Sequence, residues 1–403
     1  MVNNMQVNIT KMDNLGRGIG YLDGKIIFVD NALPDEIVDV DIISDTKKYC
    51  VGKINDIIKR SDKRVESKCI YSNLCGGCNL RNMSYEESLL YKENRVKDVL
   101  KKYASIECNT KVIDVSKENN YRNKVVLHVK DGIVGFYMVN SHDIISIDKC
   151  LNVDDAINSF IEDIYVLNIN NGEITVRCNY NGELLVVINS KDEISINVDE
   201  LKKKHKIVGI VLNDEVIYGS NYFIDRVNDM FFRISYDAFF QVNREVCAKL
   251  FNIISENISE KDVVYDMCSG VGTLSLVASI NAKNVYGVEI VQNAIKDSLI
   301  NAKMNKRDNV KFILGDAFSS INKINDEINT IIVDPPRSGL NDLGVKSIID
   351  SNAKKVIYVS CNPITLARDL KELKKKYDLK EVFVLDMFPY TYHCESIVLL
   401  DLK

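Results

Sequence analysis

From about residue 236 to its end, the chain alternates short apolar runs with helical patterns. V-V-Y-D-M, N-V-Y-G-V-E, V-K-F-I-L-G-D, T-I-I-V-D-P-P and K-V-I-Y-V-S follow one another with amphipathic segments between them. Such alternation predicts a parallel, doubly wound, Rossmann-like α/β sheet. The last two runs, E-V-F-V-L-D-M-F-P and E-S-I-V-L-L-D-L, predict adjacent strands joined by a short loop.

The remainder reads differently. Residues 1–58 hold short alternating strands broken by Gly, Asp-Gly and Asn-Ala-Leu-Pro, which predicts a small β-barrel. From Ser84 to Tyr103 the pattern is helical, with Tyr85, Leu89, Val96, Val99 and Leu100 on one face. Residues 121–234 are strand-rich, interrupted by helical patterns at 152–166 and near 198–205. For 403 residues, two to four domains is the prior at roughly 100–200 residues each. The expected division is a barrel (1–58), a central α+β domain (59–235) and the doubly wound domain (236–403).

The net charge is −5, which weighs against a wholly basic nucleic-acid binder. The charge is uneven, however. Residues 59–130 carry sixteen Lys and Arg against nine Asp and Glu, a surplus of seven. Either a solvated face or a phosphate-binding surface accounts for that. The first residues carry no secretory pattern and no run of 18 apolar residues occurs, so a cytoplasmic protein with no membrane contact is expected. Eleven cysteines in that compartment point to metal binding or catalysis rather than disulfides.

The first strand of the doubly wound segment runs into C-S-G-V-G-T and a helix, a tight turn that lets backbone approach a ligand. Asp266 ends that strand, Glu289 ends the next and Asp316 follows the third. Three acids at successive strand ends suit an adenosine with a neutral or cationic tail. They would repel a pyrophosphate, so S-adenosylmethionine is favoured over a nicotinamide dinucleotide. Acids that merely cap helices are the structural alternative. The fourth strand ends in Asp334-Pro-Pro-Arg337, where ligands bind such sheets.

The fifth strand ends in S-C-N-P, placing Cys361 at the same edge. A thiolate there suits addition to carbon 6 of a uracil, after which carbon 5 can attack a methyl sulfonium. A free thiol near pKa 8.5 is about a tenth ionised at pH 7.5, so a nearby donor or cation is expected to lower it. A base must then remove the carbon-5 proton. P-Y-T-Y-H-C-E-S supplies Glu395, with His393 read as a positioning or packing residue.

Cys69, Cys75 and Cys78 form C-x5-C-G-G-C, with Cys150 farther along. Three thiolates this close ask for a soft metal. A [4Fe–4S] cluster is favoured; zinc, or no metal, remains open. Cys50, Cys108, Cys178, Cys247 and Cys394 read as packing residues.

Taken together, F-F-Q-V-N (239–243), D-M-C-S-G-V-G-T (266–273), V-D-P-P-R (333–337), S-C-N-P (360–363) and H-C-E (393–395) resemble the RNA uracil-C5 methyltransferase family. The resemblance implies that Gln241, Cys268, Glu289 and Asp334 line the S-adenosylmethionine site, with Asp316 added from its strand end. It implies Cys361 as nucleophile and Glu395 as base. It supports an iron–sulfur cluster on Cys69, Cys75, Cys78 and Cys150, since members acting on rRNA carry this spacing. The N-terminal segment looks like a TRAM domain, an OB-like RNA-binding β-barrel, with Arg17, Lys25, Lys47, Lys48 and Lys53 as candidate phosphate contacts. The expected partner is RNA, 23S rRNA before tRNA, with no obligate protein partner. A non-catalytic RNA-binding protein and a small-molecule methyltransferase are the readings from other classes.

Overall fold

The computed structural model describes residues 5–403, and the outermost N-terminal residues 1–4 lie outside it. Six strands between Met5 and Lys59 form the N-terminal sheet. Its order is Met5–Asn8, Ile37–Asp45, Tyr49–Lys59, Lys25–Val29, Gly18–Leu22 and Lys11–Met12. The sheet curls until Gly18–Leu22 lies against Met5–Asn8. A Cβ on Gly20 would stand 2.3 Å from Val7 Cγ1, so only glycine permits this approach. Val7, Ile27, Val29, Val38 and Val40 fill the interior.

A seven-stranded sheet occupies the middle of the chain. Four of its strands, Lys124–Lys130, Gly172–Cys178, Leu184–Asn189 and Ile207–Leu212, are consecutive neighbours. Helix Asp155–Glu162 covers one face with Ile157, Phe160 and Ile161.

The third sheet carries the candidate site. Its C-terminal strands are β1 (Val263–Met267), β2 (Asn284–Glu289), β3 (Val310–Leu314), β4 (Thr330–Val333), β5 (Lys355–Ser360), β6 (Tyr377–Leu385) and β7 (Glu395–Leu402). They lie in the order β3-β2-β1-β4-β5-β7-β6, with only β7 antiparallel to its neighbours. The central strands β1, β4 and β5 are buried almost throughout on both sides, as a sheet covered on both faces requires. Val264, Val285, Ile332 and Ile357 enter one core; Tyr265, Tyr286, Val333 and Tyr358 enter the other.

An eighth strand, Lys111–Ile113, pairs parallel with the far edge of β6 at Phe383–Leu385. Helix Tyr85–Val99 packs on the same sheet through Val96 and Val99. Ser84 caps it by accepting from the Glu87 amide at 3.3 Å, and Glu86 and Glu87 favour its first turn. Residues 85–113 therefore pack with the C-terminal sheet, although the sequence division assigns them to the central domain. The same helix buries Lys92, which the apolar pattern did not indicate. Its ammonium pairs with Asp386, and both side chains are 1% exposed. No helix among the described residues is long and apolar enough to cross a membrane.

Candidate active site

Strand order reverses between β1 and β4, and in an open α/β sheet the crevice at that point receives the ligand. After β1 the chain turns through Cys268 and Gly270, at φ +63° and +54°, and reaches Gly272 at φ +86°. Gly272 begins helix Thr273–Ala278, and a Cβ there would stand 2.6 Å from the Phe312 ring. Gly270 instead faces open space, with nothing within 4 Å of a built Cβ. The loop thus packs tightly at one glycine and leaves room at the other.

Glu289, at the end of β2, closes this turn. One carboxylate oxygen accepts from the Gly270 amide at 3.0 Å. The other accepts from the amides of Ile290 and Val291 at 2.8 and 2.9 Å. The carboxylate is thereby fixed beside the open glycine, where its remaining lone pairs suit ribose hydroxyls. The Cys268 thiol lies among acids; burial first, then Asp266 and Glu289, push it up to about 12. Gln241 is half-buried just before helix Arg244–Glu256, and its carbonyl accepts from the Asn123 side chain at 3.2 Å.

The three strand-end acids do not share one role. Asp266 points inward. It is 1% exposed, accepts from Ser275 Oγ at 2.5 Å, and burial pushes it up to about 7. Asp316 is exposed and caps helix Ala317–Ser320, accepting from the Phe318 amide at 2.9 Å. Glu289 alone keeps its carboxylate at the crevice with its oxygens on loop amides.

Asp334 and Cys361 lie just beyond the ends of β4 and β5, beside Glu395, the first residue of β7. Ser360 of β5 pairs with Ser396 of β7 in antiparallel register. Cys361 and Glu395 are the next residues outward on the two chains, so they face one another across the ladder's end. Burial first, then Glu395, pushes the Cys361 thiol up to about 11 against the opposing charge of Arg337. The expected cation is thus present, but it does not outweigh burial. Burial also lifts Asp334 to about 6. Glu395 is 3% exposed, one carboxyl oxygen has no partner, and burial and Asp334 hold its carboxyl above the ordinary range.

Neighbouring contacts stiffen this edge. Asn362 caps helix Pro363–Leu373 and donates to the Arg337 carbonyl at 3.0 Å; Thr365 donates to the same carbonyl at 3.2 Å. Asp369 accepts from Tyr358 OH at 2.6 Å and from the Leu340 amide at 2.8 Å, holding the loop after Pro336. The His393 ring lies 4.1 Å from that of Tyr392, and burial, then Arg337, pushes it down to about 4. It is neutral near pH 7, a packing partner rather than an acid.

The four candidate metal cysteines are half-buried and unpaired. They share a neighbourhood. Burial raises the Cys75 thiol, and Cys78 and Cys69 add to that. Cys150 is pushed up to about 12 by burial, then by Cys78 and Cys75. Yet among the described residues no three His, Cys, Asp or Glu side chains are gathered closely enough to hold an ion. This departs from the expected cluster. Protein donors satisfy two of the thiols instead: the Gly77 amide donates to Cys75 Sγ at 3.4 Å, and Asn152 donates to Cys78 Sγ at 3.2 Å. Cys50, Cys178, Cys247 and Cys394 are buried packing residues, and Cys108 is half-buried. On the barrel, two candidate phosphate contacts are already engaged. Arg17 pairs with Asp13 at 2.7 Å and Lys25 with Asp45 at 2.6 Å.

Comparison with known proteins agrees with this geometry. Residues 183–403 match the tRNA (Uracil-5-)-methyltransferase family, and residues 3–54 match the TRAM domain. An uncharacterized RNA methyltransferase of Caldanaerobacter subterraneus subsp. tengcongensis is 37% identical, covering 98% of this chain and 97% of its own. Another, from Clostridium acetobutylicum, is 34% identical over 99% and 97%. The crystal structure of the Pyrococcus abyssi tRNA (uracil-54, C5)-methyltransferase with S-adenosyl-L-homocysteine superposes with a TM-score of 0.80. It has 26% identity and covers 98% of this chain and all of that one. The chain therefore belongs to the uracil-5 RNA methyltransferase family, as an S-adenosylmethionine-dependent enzyme with an N-terminal TRAM domain.

Proposed function

We propose that this enzyme methylates carbon 5 of a uridine through a transient bond between Cys361 and carbon 6. The observation that carries the reading is the β5–β7 register, which sets Cys361 opposite Glu395 beside Asp334. The cofactor supplies an electrophilic methyl group, and Glu289, Gln241, Cys268 and Asp334 are the residues we assign to holding it, with Asp316 at the rim. The Cys361 thiolate adds to carbon 6, and the ring electrons pass to the uracil carbonyl as an enolate. Carbon 5 then takes the methyl group, the electron pair of the broken methyl–sulfur bond staying on the donor sulfur. Glu395 accepts the carbon-5 proton, the 5,6 double bond re-forms and Cys361 leaves as thiolate. A carboxyl whose affinity for protons is raised by burial suits that last step.

The target base must leave its stack to reach a thiol at the sheet edge. We assign phosphate contacts chiefly to the basic 59–130 segment and the barrel. Our first substrate is 23S rRNA, because the barrel occurs together with the C-x5-C-G-G-C spacing. A second reading, tRNA, is favoured by the name of the matching family and by the substrate of the Pyrococcus neighbour. We further assign a [4Fe–4S] cluster to Cys69, Cys75, Cys78 and Cys150, whose shared neighbourhood and soft donors suit it. We read the enzyme as cytoplasmic and divide it at residues 58 and 235, with residues 85–113 packed on the C-terminal sheet.

The test uses labelled methyl donor with 23S rRNA and with tRNA transcripts. Label is expected in 5-methyluridine of the rRNA. Glu395→Gln should leave methylated RNA bonded to Cys361, seen as a slow band on a denaturing gel, and slow turnover by roughly 10²–10⁴-fold. Cys361→Ala should abolish both band and product. Normal turnover by Glu395→Gln would overturn the mechanism; label confined to tRNA would replace the substrate.

A further inference from the structure

We propose that Arg81 is a positioning residue for Glu395, acting through Tyr390 and linking the base to the cysteine-bearing loop. The proposal rests on the reading of Glu395 as the base.

The loop between β6 and β7 delivers Glu395 to the sheet edge, and residues 79–121 hold its backbone at four carbonyls. Lys92 Nζ donates to the Phe388 carbonyl at 2.9 Å, and Tyr121 OH to that of Pro389 at 3.4 Å. The amides of Asn79 and Leu80 donate to the Tyr390 carbonyl at 3.2 and 3.1 Å. Arg95 donates to the Tyr392 carbonyl at 3.1 Å. Glu395 itself has a carboxyl oxygen with no partner, so its aim depends on the backbone that carries it.

Tyr390 is the strained point of this loop. Its φ is +60°, left-handed for an aromatic residue, a conformation that persists only where its surroundings enforce it. The enforcement is visible. The Arg81 guanidinium sits 4.4 Å from the ring centroid, the Tyr390 hydroxyl donates to Glu118, and the Tyr85 ring packs at 5.9 Å. Arg81 is 7% exposed and is anchored in turn, donating to Asn119 at 3.1 Å and to Asn152. Asn152 donates its side-chain amide to Cys78 Sγ at 3.2 Å. A continuous path thus runs from Cys78 through Asn152 and Arg81 to Tyr390, five residues before Glu395. Without Arg81 the Tyr390 turn loses its cover, and the course of residues 391–394 into the ladder-paired Glu395 loses one of its supports.

The decisive experiment compares Arg81→Ala with Glu395→Gln in the full-length enzyme, in a single gel assay with RNA and labelled methyl donor. First-turnover methyl transfer by Arg81→Ala should stay within about threefold of wild type. Its steady-state kcat should fall about tenfold or more, with KM for RNA little changed and methylated RNA accumulating on Cys361. Arg81→Lys keeps a cation over the ring but loses the planar fork, so its adduct fraction should be intermediate. That variant also serves as the readout if Arg81→Ala does not fold. Wild-type turnover in either variant, or equal loss of addition and turnover with no adduct, overturns the proposal when Glu395→Gln does trap RNA. If Glu395→Gln traps none, the base assignment fails, and this proposal with it.

Discussion

Asp334 and Glu395 share one buried electrostatic field: the charge of Asp334 raises the carboxyl of Glu395, and Arg337 acts against it. Cys361 feels all three groups. The site therefore holds two acids and a thiol whose proton affinities are all raised above their ordinary values, opposed by a single guanidinium.

That balance fixes the pH behaviour of the nucleophile. With its thiol at about 11, Cys361 of the free enzyme should react slowly with iodoacetamide at pH 7. The rate should rise about tenfold per pH unit until the thiol titrates. Arg337→Met removes the side chain that lowers the thiol, so its profile should shift toward alkaline pH. Alkylation read by mass spectrometry checks this; a Cys361 rate already at its plateau at pH 7 would contradict the geometry.

Asp266 makes the fold sensitive to pH in a defined direction. Its folded pKa, about 7, lies above the ordinary 3.8, so the folded state holds the proton more tightly. Its contribution is thus favourable below pH 4 and is lost as pH rises through 7. Asp266→Asn should flatten that loss, which is about 4 kcal/mol at most for a group this buried. Urea melts between pH 5 and 8 should show a shallower slope for the variant. An equal slope would mean that Asp266 is charged in the fold.

The Lys92–Asp386 pair should be intolerant of half-removal. Lys92→Met leaves a buried carboxylate without its cation, a change that typically costs about 3–5 kcal/mol. Adding Asp386→Leu should return part of that stability, because no isolated charge remains. Denaturant unfolding of both variants tests the coupling, and strict additivity would count against it.

The two glycines after β1 should differ. Gly272→Ala meets the Phe312 ring at 2.6 Å and must also adopt φ +86°, so it should destabilise by several kcal/mol and weaken cofactor binding. Gly270→Ala meets nothing, and its cost should be near 1 kcal/mol, that of left-handed backbone alone. Thermal melts and titration with S-adenosyl-homocysteine separate the cases.

Cys75→Ser tests the thiol neighbourhood. If a cluster forms, anaerobically prepared enzyme should contain iron and acid-labile sulfide, and the variant should lose both. Stoichiometric zinc in a fully active enzyme would redirect the assignment.

Much of the candidate site was legible because its residues sit at strand ends, and strand ends are marked by local pattern. The five C-terminal runs and the Asp334, Cys361 and Glu395 motifs needed only period and punctuation. Asp266 was not legible in the same way. A carboxylate at a strand end looks alike whether it faces a ligand or, as here, a buried serine hydroxyl. Nor could sequence distinguish the capping role of Asp316 from ligand contact. The Lys92–Asp386 pair and the Arg81–Tyr390 contact were invisible, because each joins residues about 300 positions apart and carries no local period. Thiol spacing gave the neighbourhood of Cys69, Cys75, Cys78 and Cys150, but not the distances within it.

The edge strand Lys111–Ile113 has a consequence for how the chain matures. Lys111 reaches Glu381 across 270 residues of sequence. During synthesis this strand leaves the ribosome long before β6 exists, so it must wait unpaired while the middle sheet forms. Contacts of such separation slow folding, because loop closure precedes any reward. Until they form, an open strand edge is a site for wrong pairing. The enzyme thus closes its last sheet with one of its early segments. Removing the first 120 residues would strip the C-terminal domain of its edge rather than release it as an independent unit.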